Sequence, residues 1–193
     1  MRAGLLVVAT LIGLMFVPAR ASAEWQIKPF LGVTFGAATT FVLNADVGNS
    51  RLALGVSGML IGEVVGVEVD VGHTPGFFGT VGGLVLNSGV TTITGNVVLA
   101  MPRHLTKYTL RPYLVGGAGM MHVRFEDFAN LLSGDNLATT DVGGGVTGFL
   151  TNRVGVSWDV RYFRSVDGPL AGDSIGPEQL SFWRANMALA IRF

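Results

Sequence analysis

The sequence contains no cysteine in 193 residues, which excludes a disulfide framework, a thiolate metal site and a lipid anchor on an amino-terminal cysteine. Charge is scarce: Asp, Glu, Lys and Arg make up 13% of the chain, about half the share usual in a soluble domain. Thirteen bases balance thirteen acids with no basic cluster among them, so no nucleic-acid partner is expected. The three histidines, His73, His104 and His122, fall at no metal-ligand spacing. They read as surface residues at strand ends and in a turn, and no metal or cofactor is expected. Long apolar runs are missing as well. A membrane helix needs about 20 consecutive apolar residues, and beyond residue 23 no such stretch exists. Even Val71 to Pro102, free of charge, is broken throughout by Gly, Thr, Asn and Pro.

What is present is apolar all the same. The chain is 49% hydrophobic with a mean hydropathy of +0.51, which points to a membrane environment. With 28 glycines and abundant Val and Thr, it favours strands and turns over helices. The first 23 residues read as a secretory signal peptide. Met1 and Arg2 make a short positive region, Gly4 to Val17 an apolar core, and Ala21-Ser22-Ala23 a small-residue cleavage site. Cleavage after Ala23 leaves residues 24 to 193 as one domain. Without Arg2 and Arg20, 11 bases face 13 acids, a net charge of −2.

From Glu24 the chain alternates with period two, the signature of strands with two unlike faces. The final stretch, S-F-W-R-A-N-M-A-L-A-I-R-F, sets Trp183, Ala185, Met187, Leu189, Ile191 and Phe193 on one face, and Arg184, Asn186 and Arg192 on the other. In Val65 to Gly72, valines alternate with Gly66, Glu68, Asp70 and Gly72. Two acids on a dry core face would be costly, so the valines are the side chains that leave water. Eight such segments are legible: Trp25 to Phe35, Arg51 to Leu60, Val65 to Gly72, Val90 to Met101, Leu110 to Arg124, Thr140 to Leu150, Val154 to Arg164 and Ser181 to Phe193. The facing of the fifth is ambiguous at Pro112 and Tyr113. Long connections, 36 to 49, 73 to 88, 125 to 138 and 165 to 179, alternate with short turns. The expected fold is all-β: an eight-stranded, antiparallel, up-and-down transmembrane barrel, apolar outside and polar within. Trp25, Trp158, Tyr162 and Trp183 are expected in its aromatic girdles.

The signal, the eight alternating strands and the ending W-R-A-N-M-A-L-A-I-R-F resemble the small outer-membrane barrels of the OmpA and OmpX type. The resemblance spans Glu24 to Phe193. It implies residence in the outer membrane of a Gram-negative-type bacterium among lipid and lipopolysaccharide, with both termini periplasmic. It also implies passage by periplasmic chaperones to a barrel-assembly machinery that reads Leu189, Ile191 and Phe193. The long loops are where an extracellular ligand would bind. No peptidoglycan-binding domain follows Phe193, so wall tethering is not expected.

Gly143-Gly144-Gly145-Val146-Thr147-Gly148 fits G-x-G-x-x-G, but it lies inside a strand with no helix after it, so a dinucleotide site is not expected. These glycines, with Gly116, Gly117 and Gly119, read instead as relief for large inward side chains such as Phe149. Alternation sends Lys28, Glu68, Asp70, Asp159, Arg161 and Arg184 into a lumen that eight strands leave only wide enough for side chains. The expectation is a salt-bridge network, with Arg161 bridging Asp70 and Asp159, that closes the barrel. The alternative is that these charges line a narrow or gated ion path. A third class is enzymatic. Some similar barrels deacylate lipid A with a His-x-Ser pair, but His122-Val123-Arg124 lacks the serine and Ser57 and Ser157 face inward, so no enzyme activity is expected.

Overall fold

The computed structural model describes residues 23–39, 50–78, 85–106, 110–127, 132–169 and 179–193. The expected signal segment to Ser22, and the middles of the four long connections, lie outside the described residues. Eight strands follow in chain order: β1 Glu24–Thr39, β2 Arg51–Ile61, β3 Val65–Pro75, β4 Val85–Ala100, β5 Leu110–Asp127, β6 Leu132–Phe149, β7 Val154–Pro169 and β8 Leu180–Arg192. Each pairs antiparallel with its neighbours, and β1 pairs with β8, so the sheet is a closed up-and-down barrel.

Several strands run well past the hydrophobic alternation. β6 begins at Leu132 rather than near Thr140, β7 continues to Pro169 rather than Arg164, and β4 begins at Val85 rather than Val90. Much of what reads as loop is therefore ladder. His73 accordingly lies within β3, its Nδ1 2.9 Å from Thr91 Oγ1, and His122 lies within β5. A ladder needs only backbone partners, so polar and glycine-rich residues extend it where there is no apolar face to read.

Burial is inverted relative to a soluble protein. Trp25, Leu31, Leu52, Val67, Leu114 and Met187 are exposed on the outer face, whereas Lys28, Glu68, Asp70, Arg161 and Arg184 are buried inside. A barrel with this exterior requires an apolar medium around it. Pro112 and Leu114 face out and Arg111 and Tyr113 face in, which settles the ambiguous part of β5. The β1–β8 seam is less regular. Pairing runs to Ile27↔Ile191 and resumes at Phe30↔Ala188, a gap at Pro29, which has no N–H to give the ladder.

Side chains fill the lumen in layers. Toward the end carrying the long connections, Phe77, Phe78, Val90, Met121, Val123, Leu137, Phe163, Leu180 and Phe182 form an apolar cluster. Phe77 and Phe78 enter it from beyond β3 over Gly76, whose φ of 61° suits glycine. Ser88 fastens this turn, its Oγ accepting from the Phe78 N–H at 3.1 Å and donating to the Phe78 carbonyl at 3.0 Å. Toward the end where β1 starts and β8 finishes, Met59, Ile61, Val98, Ala100, Tyr113 and Val115 form a second apolar cluster. The charges lie between the two.

Candidate functional site

The lumen charges are organised by which strands oppose each other. In a closed ring of eight, β3 and β7 stand four places apart, on opposite walls. β3 contributes Glu68 and Asp70, two residues apart and therefore on one face. The far wall contributes Arg161 of β7 and Arg184 of β8, which are direct cross-strand neighbours. Like charges so placed repel, and what offsets this is the acidic pair facing them across the bore.

Glu68 is the hub. Its Oε1 accepts from Arg161 Nη1 at 2.6 Å and its Oε2 from Nη2 at 3.3 Å, a forked guanidinium–carboxylate pair. Lys28 Nζ lies 3.4 Å from Oε2, and Asn96 Nδ2 donates to Oε1 at 3.3 Å. Arg161 also donates through Nε to Asp159 Oδ1 at 3.0 Å, and Asn186 Nδ2 donates to the same oxygen at 2.8 Å. Tyr113 joins from below, its hydroxyl donating to Asp159 Oδ2 at 3.1 Å while Lys28 Nζ sits 4.9 Å over its ring. Arg184 pairs with Asp70 Oδ1 at 2.5 Å and donates to Thr92 Oγ1 at 3.2 Å. Its guanidinium carbon lies 4.7 Å from both the Phe30 and Phe163 ring centres, so it joins the charged layer to the phenylalanines above.

All six charges read from the sequence thus occupy one layer. Arg161 reaches both expected aspartates, Asp159 Oδ1 at 3.0 Å and Asp70 Oδ2 at 3.8 Å, but its closest partner is Glu68, and Asp70 pairs more tightly with Arg184. Sequence reasoning also passed over Asp141. It is 4% exposed, its nearest cation is Arg161 at 4.0 Å, and neither carboxylate oxygen has a hydrogen-bond partner. Its inward facing follows from outward Val142, a signal that was there to use. Four acids therefore meet three bases in the layer.

The inward glycines of β6 give room to the β7 backbone and to this network rather than to Phe149. A Cβ on Gly143 would meet the Val160 carbonyl and then the Arg161 stem at 2.9 Å, and one on Gly145 the Trp158 carbonyl and then the Tyr113 hydroxyl at 2.8 Å. Phe149 lies at the barrel end, under the Arg192 guanidinium at 4.5 Å. On the outer face Trp25, Trp158 and Trp183 are exposed, and the Tyr162 ring packs tilted against Trp183, 5.0 Å between centroids. Trp25 lies at one end and the Tyr162–Trp183 pair toward the other, while Trp158 stands part-way up β7 opposite Met187. Leu189 and Phe193 are exposed on the same outer face, and the Phe193 N–H donates to the Trp25 carbonyl at 3.0 Å. Ser57 and Ser157 are buried inside, and His122 Nδ1 lies 2.9 Å from Asn136 Oδ1.

No protein-family model and no characterised protein matches this sequence. Solved structures do match the fold. Neisserial surface protein A superposes with a TM-score of 0.64 at 12% identity, over 90% of this chain and 99% of that one. This chain has the fold of the small outer-membrane barrels. The amino-terminal barrel domain of Pseudomonas aeruginosa OprF matches at a TM-score of 0.58 and 11% identity, over 90% and 99% of the two chains. Yersinia pestis Ail, solved in complex with the heparin analogue sucrose octasulfate, matches at 0.54 and 12%, over 89% and 99%. Eight-stranded outer-membrane barrels of this shape include OprG as well, so one fold carries proteins of different kinds.

Proposed function

We propose that this chain is an integral outer-membrane protein whose lumen is closed by the inward charge network, and that it acts structurally or through contacts made at the cell surface. The observation that carries this is the Arg161–Glu68 pair, which spans opposite walls with both side chains at most 1% exposed. Apolar clusters above and below the pair support the same reading. On this reading residues 1–23 are a cleaved signal, both termini are periplasmic, and the exposed apolar belt sits in lipid beneath lipopolysaccharide. Leu189, Ile191 and Phe193 serve as the signal for the barrel-assembly machinery, and Trp25, Trp158, Tyr162 and Trp183 as girdle residues. Ail's complex with a sulfated sugar supports looking for a partner among extracellular ligands of the long connections, whose middles lie outside the described residues. We assign no enzyme activity, in keeping with lumenal serines and a His122 held by an amide.

A small or gated pore is the second reading. It is favoured by the unpartnered oxygens of Asp70 and Asp141, which mark a polar spot of the kind that water fills. The deciding experiment is single-channel conductance of the mature protein in a planar bilayer, with a boiled-versus-unboiled gel shift to verify the barrel. A folded, silent barrel supports closure. Steady openings that change on Glu68→Gln or Arg161→Ala overturn it and establish the pore.

A further inference from the structure

The barrel end where β1 starts and β8 finishes holds a second charged cluster, separate from the layer in mid-lumen. It lines a cavity of about 370 Å³ between the β4–β5 connection and the β6–β7 turn. Three guanidinium groups, Arg103, Arg111 and Arg192, and one carboxylate, Glu24, face this space. The imbalance is thus the reverse of that in mid-lumen, with two positive charges in excess.

Glu24 is fully engaged. Its Oε2 takes an ion pair from Arg103 and lies 3.4 Å from Arg192 Nη1, and its Oε1 accepts from Gln26 Nε2 at 2.7 Å. Arg111 has no such partner. Although only 8% exposed, it pairs with no carboxylate among the described residues. Its guanidinium is held by neutral backbone: Nε donates to the Met101 carbonyl at 3.1 Å, and Nη2 to the Gly62 and Glu63 carbonyls at 2.8 Å each. Arg192 is fixed in the same manner, donating through Nε to the Asn152 carbonyl at 2.8 Å while stacking on Phe149. The guanidinium groups are therefore oriented before any ligand arrives, so little side-chain entropy remains to be lost on binding. An immobilised guanidinium that pairs with no carboxylate among the described residues, and whose Nη1 is left to donate beside a cavity, attracts an oxyanion.

We propose that this cavity is a binding site for a small oxyanion, a phosphate or carboxylate group, with Arg111 and Arg192 as its principal ligands. Glu24 acts as an internal competitor that occupies Arg103 and part of Arg192 until the ligand arrives. On the orientation proposed above, the cavity opens to the periplasm. The binding itself does not depend on that orientation or on whether the lumen conducts.

The probe is inorganic phosphate, titrated into the refolded mature protein in an uncharged, phosphate-free detergent. Binding is followed through the arginine side-chain Nε–Hε resonances by NMR, and the gel shift verifies each variant. Saturable binding is expected, at least tenfold weaker in Arg111→Gln and in Arg192→Gln. Glu24→Gln is expected to bind phosphate severalfold more tightly, since it frees two guanidinium groups; a general loss of structure would not produce that sign. Arg153→Gln, an exposed arginine outside the cavity, is expected to bind as the parent does. Should Arg111→Gln fail to fold, Arg192→Gln and Glu24→Gln decide the matter. Repeating the titration in nanodiscs containing phosphatidylglycerol separates the sources. Unchanged affinity for phosphate assigns the site to a soluble anion, and loss of phosphate binding with the site already occupied assigns it to a lipid headgroup. Absence of saturable binding in detergent, equal affinity in the arginine variants, or weaker binding in Glu24→Gln overturns the proposal.

Discussion

Arg161 and Glu68 are 93 positions apart in the chain and meet in the middle of the bore, Nη1 2.6 Å from Oε1 and Nη2 3.3 Å from Oε2. One belongs to β7 and the other to β3, on opposite walls of the ring. Arg161→Ala leaves Glu68 with only Lys28 and Asn96, and Asp159 without its cation. Removing one partner of a buried ion pair costs about 3–5 kcal/mol. The unfolding midpoint in urea, read from the gel shift in lipid vesicles, is expected to fall accordingly. An unchanged midpoint would sink the network as a stabilising element.

Asp141 offers the opposite sign. Its carboxylate has no hydrogen-bond partner and only a 4.0 Å approach to Arg161, in a layer already one acid in excess. Asp141→Asn removes an uncompensated charge at constant shape, so stability is expected to hold or rise. Glu68→Gln, which removes a charge with two cationic partners, is expected to lower it. Equal losses in the two variants would show that burial rather than pairing governs these acids.

Gly143 faces Arg161 across the β6–β7 ladder, and a Cβ there would press first on the Val160 backbone carbonyl, then on the Arg161 Cα at 2.8 Å and its Cγ at 2.9 Å. Gly143→Ala is expected to cost about 1–3 kcal/mol, the usual scale of overpacking. Gly58→Ala, where a Cβ meets nothing within 4 Å, is the control and should stay near the parent value. Parallel chemical denaturation of the two variants measures the difference.

Phe77 and Phe78 pack in the apolar cluster above the charges, with Phe77 edge-on to Phe182 at 5.1 Å. Replacing both by alanine empties that layer but leaves the Arg161–Glu68 pair in place. The double variant is expected to stay silent in a planar bilayer, and to conduct only when Arg161→Ala is added. Conductance from the phenylalanine variant alone would place the barrier in the apolar cluster.

The Phe193 side chain is 76% exposed, while its backbone N–H closes onto Trp25. Phe193→Ala is therefore expected to leave the stability of the folded barrel nearly unchanged and to slow insertion in the presence of the assembly machinery. Comparing insertion rates with and without that machinery tests this. A loss of equilibrium stability in its place would make the residue structural.

The strand count and its facing were legible because alternation is a local property. In V-G-V-E-V-D-V the valines must face one way and the acids the other, whatever the rest of the chain does. The partner of each inward charge is not local. It depends on which strands oppose one another and at what height, and both are set by ring closure and strand stagger. Alternation therefore points Arg161 to the two aspartates that it does reach, but not to Glu68, its closest partner. Asp141 is legible as inward from outward Val142 alone, since the glycines of T-T-D-V-G-G-G give neither face further character. The upper parts of β4, β6 and β7 carry no strand pattern for a related reason: above the apolar belt nothing selects which side chains leave water. The arginines at the barrel end left no motif at all, since Glu24, Arg103, Arg111 and Arg192 come from separate parts of the chain.

The join between β1 and β8 also sets an order of events. The ion pair of Glu24 with Arg192 links residues 168 positions apart, and Gln26 pairs with Arg192 across the same seam. No shorter stretch of the chain can complete the ring; any partial product has two raw sheet edges and a greasy exterior. Completion of the cylinder therefore waits on the meeting of β1 with β8, and every earlier arrangement of these strands is an open sheet.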